Sequence, residues 1–462
     1  MKMITKRGIF LWIMCGLFVA GIVFLTFSLT TNADEWVMKR YNYHVYTNGE
    51  LVGAGTIYDT DGDILAQTVD GKRVYAESKT TRKSTLHTVG DPKNFISTGI
   101  HSVYDAHLTG YNIVDGVYKI KKHGRGNDMT LTIDSDICDV AYKALDGRKG
   151  TVGVVNYKTG DIVCMVSSPS YDVNNIPADI NENEAYEGVY INRLLSAQYV
   201  PGSTFKIVTA ICAIENIPDI YSRTFECTGE YLPSEGIAIV CNAKHGSIDF
   251  KTALAKSCNS VFSQLAIELG DEKLTETAKR LGIGSMITVS GDIDTFKGKF
   301  DVDGVSADKL GWTGIGQGDT RIAPVTMLRI VSAIANDGVA IDFNIVDSFA
   351  NQSGQKLDIT LPTSQATVIT PQVAQQMTDL LRNNVETVYG DGNYKGLNLC
   401  AKSGTAQIDD DENHNIAWFT GFMNDDNNPY AFVVVIENGN SGSKTAGPVA
   451  NKVLQAIMND SE

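Results

Sequence analysis

Positive charge is in deficit. Against 54 Asp and Glu the 462-residue chain sets 39 Lys and Arg, a formal net charge of −15, and the lack of a basic excess argues against a nucleic-acid partner. No internal repeat or low-complexity tract stands out. Histidine is scarce, and neither His245 nor His414 accompanies a serine in a G-x-S-x-G setting, which disfavours a Ser-His-Asp hydrolase. The glycines from Gly314 to Gly318 do not make G-x-G-x-x-G, so they support a tight loop rather than a nucleotide site. No spacing among the 8 cysteines suggests a metal centre, and neither metal nor cofactor is expected.

Long apolar runs are absent with one exception. Residues 8–29 carry no charge; at about 1.5 Å per residue they form a helix on the order of 33 Å long, enough to cross a hydrocarbon core of about 30 Å. Lys2, Lys6 and Arg7 precede the run and Asp34 and Glu35 follow it, which predicts a cytoplasmic N-terminus and an extracytoplasmic body. The run exceeds the usual length of a leader's apolar core and 31–33 makes a poor cleavage site, so a retained single-pass anchor is expected. Cys15 lies in it. Cys138, Cys164, Cys212 and Cys400 sit in strongly apolar surroundings and read as buried thiols. Cys227 and Cys241 bracket a loop containing glycine and proline in a compartment where disulfides form. They are a candidate disulfide pair unless an anaerobic host keeps them reduced.

What is present fits an ordinary globular mixture, 20% charged and 43% hydrophobic, in a chain too long for one core. Residues 34–128 are polar, with short β-like runs such as 51–58 and 114–120 and turn signals at Asp61-Gly62 and Asp70-Gly71. They read as a small β-rich stalk. A helix start is signalled at Asp134-Ser135, with Ile137, Val140, Ala141, Ala144 and Leu145 on one face until Gly147. Strand-like runs 151–156 and 162–166 follow, joined by the hairpin signal Lys158-Thr159-Gly160-Asp161. Runs 397–407, 416–423 and 430–437 repeat that pattern near the C-terminus before a closing helix at 448–458. Between them, 192–384 is mainly helical. Strands and helices do not alternate, so the expected fold class is α+β, with one antiparallel sheet assembled from both ends of 129–462.

The stretch from Pro201 onward carries the chemistry. After Gly202 it is apolar almost all round, the mark of a core helix, yet it opens with Ser203 and Lys206. Residues three apart on a helix share a face, so Ser203 Oγ and the Lys206 amine should meet at the first turn. Burial lowers a lysine pKa, and a neutral lysine can take the serine's proton. Ser257-Cys258-Asn259, in a helix-and-loop segment, sets a hydroxyl beside a carboxamide. Lys402-Ser403-Gly404-Thr405, on an expected strand, offers a cation, a close-approach glycine and hydroxyls suited to a terminal carboxylate. Each motif is short; in this order, S-x-x-K, S-x-N and K-[ST]-G match the signature of penicillin-binding proteins and class A β-lactamases.

The chain resembles a class B penicillin-binding protein, nearest to the penicillin-binding protein A group. Residues 55–59 with Gly62 and Leu65-Ala66, 131–134 with Ala144-Leu145, 166–172 and 314–318 are similar to family landmarks, while Ala54 stands where many members have arginine. The resemblance implies a transmembrane anchor at 1–33, an N-terminal stalk or dimerisation-like domain at 34–128, and a transpeptidase domain of penicillin-binding/β-lactamase-like fold at 129–462. It also implies a peptidoglycan D,D-transpeptidase of cell-wall synthesis, serving cell shape, division or sporulation, acting on stem peptides of lipid-linked precursor and acylated by β-lactams. On these positions Ser203 would be the nucleophile, Lys206 its base, Ser257 a proton relay and Asn259 a holder of substrate amide and Lys206. Lys402 would supply charge near Ser257, Ser403, Gly404 and Thr405 would bind the terminal carboxylate, and the backbone N–H groups of Ser203 and Thr405 would form the oxyanion hole. A D-alanyl-D-alanine carboxypeptidase shares all of this. A class A β-lactamase adds a deacylating glutamate in an E-x-x-x-N context, which does not occur between Asn259 and Lys402. A non-enzymatic β-lactam sensor or a divisome or elongasome scaffold is the alternative from another class, although only about seven residues precede the apolar run, too few for an output domain. No glycosyltransferase segment lies between anchor and stalk, so a separate membrane polymerase is the expected partner. The acidic run Asp409-Asp410-Asp411-Glu412 reads as a solvated loop.

Overall fold

Apolar runs far apart in the chain pair into a single five-stranded antiparallel sheet, in the order Leu399–Ala406, Ile416–Met423, Tyr430–Ile436, Gly150–Asn156, Ile162–Ser168. The computed structural model describes residues 2–47, 50–51, 53–114, 116–117, 125–234, 236–357, 364–407 and 414–460; the acidic run at 409–412 and most of the β-like run at 114–120 lie outside them. Strand Ile416–Met423 is buried at every position. Its residues show no polar alternation, as a strand covered on both faces requires. Helices Ser135–Leu145 and Gly447–Asp460 pack on each other and on this sheet, and Pro324–Ala335 packs on it as well. Trp418, Phe419, Phe422 and Phe432 are among the largest fully buried side chains, each contributing roughly 1.5–3 kcal/mol by leaving water. The five expected strands and both flanking helices are therefore borne out. Asp134 caps the first helix by accepting from the Ile137 N–H at 3.0 Å. That helix stops at Asp146, in left-handed conformation (φ 52°), one residue before the expected Gly147.

The N-terminal part departs from a β-rich stalk. Short helices Lys79–Ser84, Leu86–Val89, Ile100–Val103 and Asp105–Thr109 stand beside its strands. The Asp70-Gly71 turn forms as read, both residues at positive φ, closing the two-residue hairpin between Ile64–Val69 and Lys72–Tyr75. Those strands belong to a six-stranded sheet whose order is Lys356–Leu357, Val346–Ala350, Asp128–Leu131, Ile57–Tyr58, Ile64–Val69, Lys72–Tyr75. Residues from within the mainly helical 192–384 segment thus complete the N-terminal sheet. Gly55 sits against the connection into this sheet, where a Cβ would meet Asn127 O at 1.8 Å. Beside Ala54, the guanidinium comes from another strand: Arg73 Nη1 donates to Ala54 O at 3.2 Å and Gly55 O at 2.6 Å. A second tie is the paired Arg82–Asp172 bridge, Nε–Oδ1 2.6 Å and Nη2–Oδ2 2.9 Å, with both side chains about one-tenth exposed.

One described helix, Lys2–Val37, is long and apolar enough to cross a membrane, and its large apolar side chains from Ile9 to Leu29 are exposed.

Candidate active site

Ser203 lies in a 3₁₀ turn, Gly202–Phe205, that runs into the helix Lys206–Asn216, where an α-helical first turn was expected. The tighter winding eclipses side chains three residues apart, which brings Ser203 and Lys206 together more directly than α-helical geometry would. The turn is fixed from two sides. Gly202, at φ +53°, donates its N–H to Gly316 O at 2.9 Å, and a Cβ on Gly316 would meet Gly202 O at 2.0 Å. On the other side a Cβ on Gly404 would be 3.0 Å from Pro201 O. The 314–318 loop is thus the tight packing element beside the motif that the sequence suggested.

Lys206 Nζ stands 2.8 Å from Ser203 Oγ, 2.9 Å from Ser257 O, 3.1 Å from Ser257 Oγ and 2.7 Å from Asn259 Oδ1. Asn259 is oriented by its Nδ2 donating to Val240 O at 2.9 Å. Two of the four partners, a carbonyl and the Asn259 oxygen, only accept; the two hydroxyls can also donate. A neutral amine meets this set with two N–H groups for the acceptors and a lone pair for a hydroxyl proton. Lys206 is fully buried, and burial pushes its amine down to about 7. Lys402 Nζ approaches Ser257 Oγ from the far side at 3.1 Å and donates to Ser403 O at 2.7 Å. Burial, with the Lys206 charge adding to it, pushes Lys402 well below the ordinary lysine range. Ser257 Oγ therefore bridges two buried amines, and Ser257 itself is held at φ +55°, a left-handed conformation that costs a non-glycine residue roughly 1–2 kcal/mol.

Leu399–Ala406 is the edge strand of the five-stranded sheet. Its Ser403 is locked by Tyr389, whose hydroxyl accepts the Ser403 N–H at 2.8 Å and bonds Ser403 Oγ at 2.9 Å. Thr405 Oγ1 accepts from Gly442 N at 3.2 Å. Ser203, Ser257, Asn259, Ser403 and Thr405 line a cleft of about 450 Å³, whose wall also includes Cys241, Trp312, Gln317 and Asn415.

The penicillin binding protein transpeptidase domain family matches residues 150–459, which takes in every residue of this constellation. The chain belongs to that family.

Among its relatives, the peptidoglycan D,D-transpeptidase PbpA of Mycolicibacterium smegmatis is 26% identical over 448 residues, covering 86% of this chain and 88% of that one. A ceftriaxone acyl-enzyme complex of penicillin-binding protein A from Mycobacterium tuberculosis superposes with a TM-score of 0.78 at 25% identity, covering 87% and 98% of the two chains. The penicillin G acyl-enzyme of the same protein gives 0.76, covering 88% and 99%.

In this penicillin-binding transpeptidase the structure brings together all eight residues singled out from the motifs. Two findings lay beyond them. Tyr389, at the end of a π-helical turn after Pro371–Asn384, carries no local signature. The cysteines also behave differently from their reading: Cys227 and Cys241 are free thiols rather than a disulfide. Their sulfurs turn instead towards His245 Nδ1, at 3.5 and 3.6 Å, and Cys241 Sγ lies 3.7 Å from Cys258 Sγ. Spacing along the chain suggested no metal centre, but folding gathers these four into a donor set that could hold one.

Proposed function

We propose that the chain is a membrane-anchored peptidoglycan D,D-transpeptidase working through a Ser203 acyl-enzyme. The observation that carries this is the line Ser203 Oγ, Lys206 Nζ, Ser257 Oγ, Lys402 Nζ, each step at 2.8–3.1 Å. Lys206 takes the Ser203 proton as Oγ attacks the penultimate D-alanine carbonyl of a stem peptide. The backbone N–H groups of Ser203 and Thr405 stabilise the oxyanion, a contribution whose loss costs about 10²–10³ in rate. Lys206 then returns the proton through Ser257 to the departing D-alanine nitrogen, and an amine of a second stem peptide takes the acyl group. The terminal carboxylate binds at Ser403 and Thr405 beside the close-approach Gly404, and its negative charge favours the protonated form of Lys402 that burial alone disfavours. β-Lactams enter by the same attack and remain as adducts, in keeping with the relatives' acyl-enzyme complexes.

Lys2–Val37 anchors the protein with its N-terminus in the cytoplasm, since Lys2, Lys6 and Arg7 lie on that side. Residues 34–128 hold 129–462 outside the bilayer, and a membrane glycosyltransferase supplies the glycan strand. Pull-down from membranes with the anchor intact should recover that polymerase; its absence would remove the partner. Incubation with a synthetic stem pentapeptide and a separate acceptor amine tests the reaction. Release of D-alanine with the acyl group on the amine is expected; D-alanine release with only the hydrolysed tetrapeptide would make the enzyme a carboxypeptidase.

A further inference from the structure

Behind the Ser257–Asn259 turn lie three thiols and an imidazole that the acyl transfer does not use. Cys227 ends the strand Thr224–Cys227 and pairs with Gly246, so His245 arrives beside it across the hairpin. Cys241 follows the short strand Ile239–Val240, and Cys258 caps the helix Asn259–Arg280. The cysteines are buried and His245 half-buried, and all four donor atoms lie within 4.8 Å of one another.

We propose that Cys227, Cys241, His245 and Cys258 form a tetrahedral zinc site that fixes the Ser257–Asn259 turn. The dimensions argue for it. Zn–S bonds of about 2.3 Å and Zn–N bonds of about 2.0–2.1 Å in a tetrahedron set S···S near 3.8 Å and S···N near 3.5 Å. Three of the six separations are 3.7 Å for Cys241–Cys258, 3.5 Å for Cys227–His245 and 3.6 Å for Cys241–His245, and the other three stay within 4.8 Å. Three cysteines and one histidine is a closed structural zinc set, with no position left for a substrate. An outer contact supports it as well: the Asn259 N–H donates to Cys241 Sγ at 3.2 Å, the kind of bond that steadies a metal thiolate. Binding displaces the three thiol protons to solvent and leaves one net negative charge on the site.

The consequence for catalysis follows from chain order. Cys258 stands between Ser257 and Asn259, and Cys241 follows Val240, whose carbonyl orients the Asn259 carboxamide. Metal ligation at these two positions holds the strained Ser257 and the carboxamide against Lys206; this part rests on the acyl-transfer reading above, whereas the metal site does not.

The full chain, purified in detergent without chelator, loaded with zinc and desalted, should carry one zinc by elemental analysis. Cobalt in its place should show intense tetrahedral d–d bands and thiolate charge transfer. Cys227→Ser and His245→Ala, each remote from the reacting hydroxyls, should lose the metal. Stripping zinc from the wild type should slow penicillin acylation by roughly 10–100-fold, as a displacement of about 1 Å at a catalytic group does, and zinc should restore it. A folded wild type that takes up no zinc, or a disulfide among Cys227, Cys241 and Cys258 by peptide mass, would overturn the site. Metal content is read without substrate, so it fails independently of the acyl-transfer reading; zinc at full occupancy whose removal leaves acylation unchanged would overturn the positioning role.

Discussion

The two faces of the Ser257–Asn259 turn differ in kind. In front, two buried amines and their hydroxyl partners converge in a network whose mobile element is a proton. Behind, three thiols and an imidazole converge as a donor set, of which Cys241 also reaches the cleft wall. The front face spends its burial on lowering amine pKa values, which prepares a base. The back face uses burial to assemble soft ligands, which prepares rigidity. Under the proposed acyl transfer and the proposed zinc site, one short turn is both reactant and strut, and the two roles divide between alternate residues, the Ser257 and Asn259 side chains facing the amines and Cys258 facing the sulfurs.

Variants that remove one face while keeping the other sharpen this comparison. The largest expected effect is at Lys206: Lys206→Met should lower the penicillin acylation rate by about 10²–10⁴, the span of a lost general base, with metal content unchanged; stopped-flow acylation and elemental analysis check both halves. Asn259→Ala removes a contact to Lys206 and the bond to Val240 together, and should slow acylation on the order of 100-fold through misplacement of the amine. The pH profile comes next. Lys206 must be neutral to accept a proton and is pushed down to about 7, so the rate should be level above that pH and fall about tenfold per unit below it; a profile flat down to pH 5 would assign the base elsewhere. The smallest effect is at Tyr389→Phe, which leaves the Ser403 N–H and hydroxyl without that partner. A loss of about 1 kcal/mol in denaturant stability is expected, with acylation changed only a few-fold. A change in zinc content in any of these variants would break the separation of the two faces.

The front face was legible in the sequence because each of its three motifs is short and their order matches a known signature. Only Ser203 and Lys206, three apart, are partners along the chain; Ser257 and Asn259 meet Lys206 across separations of 51 and 53 residues, and Lys402 meets Ser257 across 145. Even there the winding was misread, since Gly202 at positive φ and its bond to Gly316 are tertiary facts that select the 3₁₀ turn. The central sheet was legible because most of its strands, such as Ile416–Met423 and Tyr430–Ile436, are near-continuous apolar runs bounded by turn signals. The back face was not. Cys227 and Cys241 read as a pair because only their loop was visible, while Cys258 was hidden inside a catalytic motif and His245 belonged to no recognisable motif. Their convergence depends on a hairpin register and a helix cap that no periodicity encodes. The mixed N-terminal sheet was missed likewise, because half of its partners come from Asp128–Leu131 and Val346–Leu357.

The most direct test of the account is the intact mass of the full chain in detergent after exposure to penicillin, for the wild type and for Ser203→Ala. One drug molecule per wild-type chain, mapped to the Ser203 peptide and persisting, with none on the variant, is the result predicted. An adduct that survives in Ser203→Ala, or a folded wild type that takes up no drug, would contradict it.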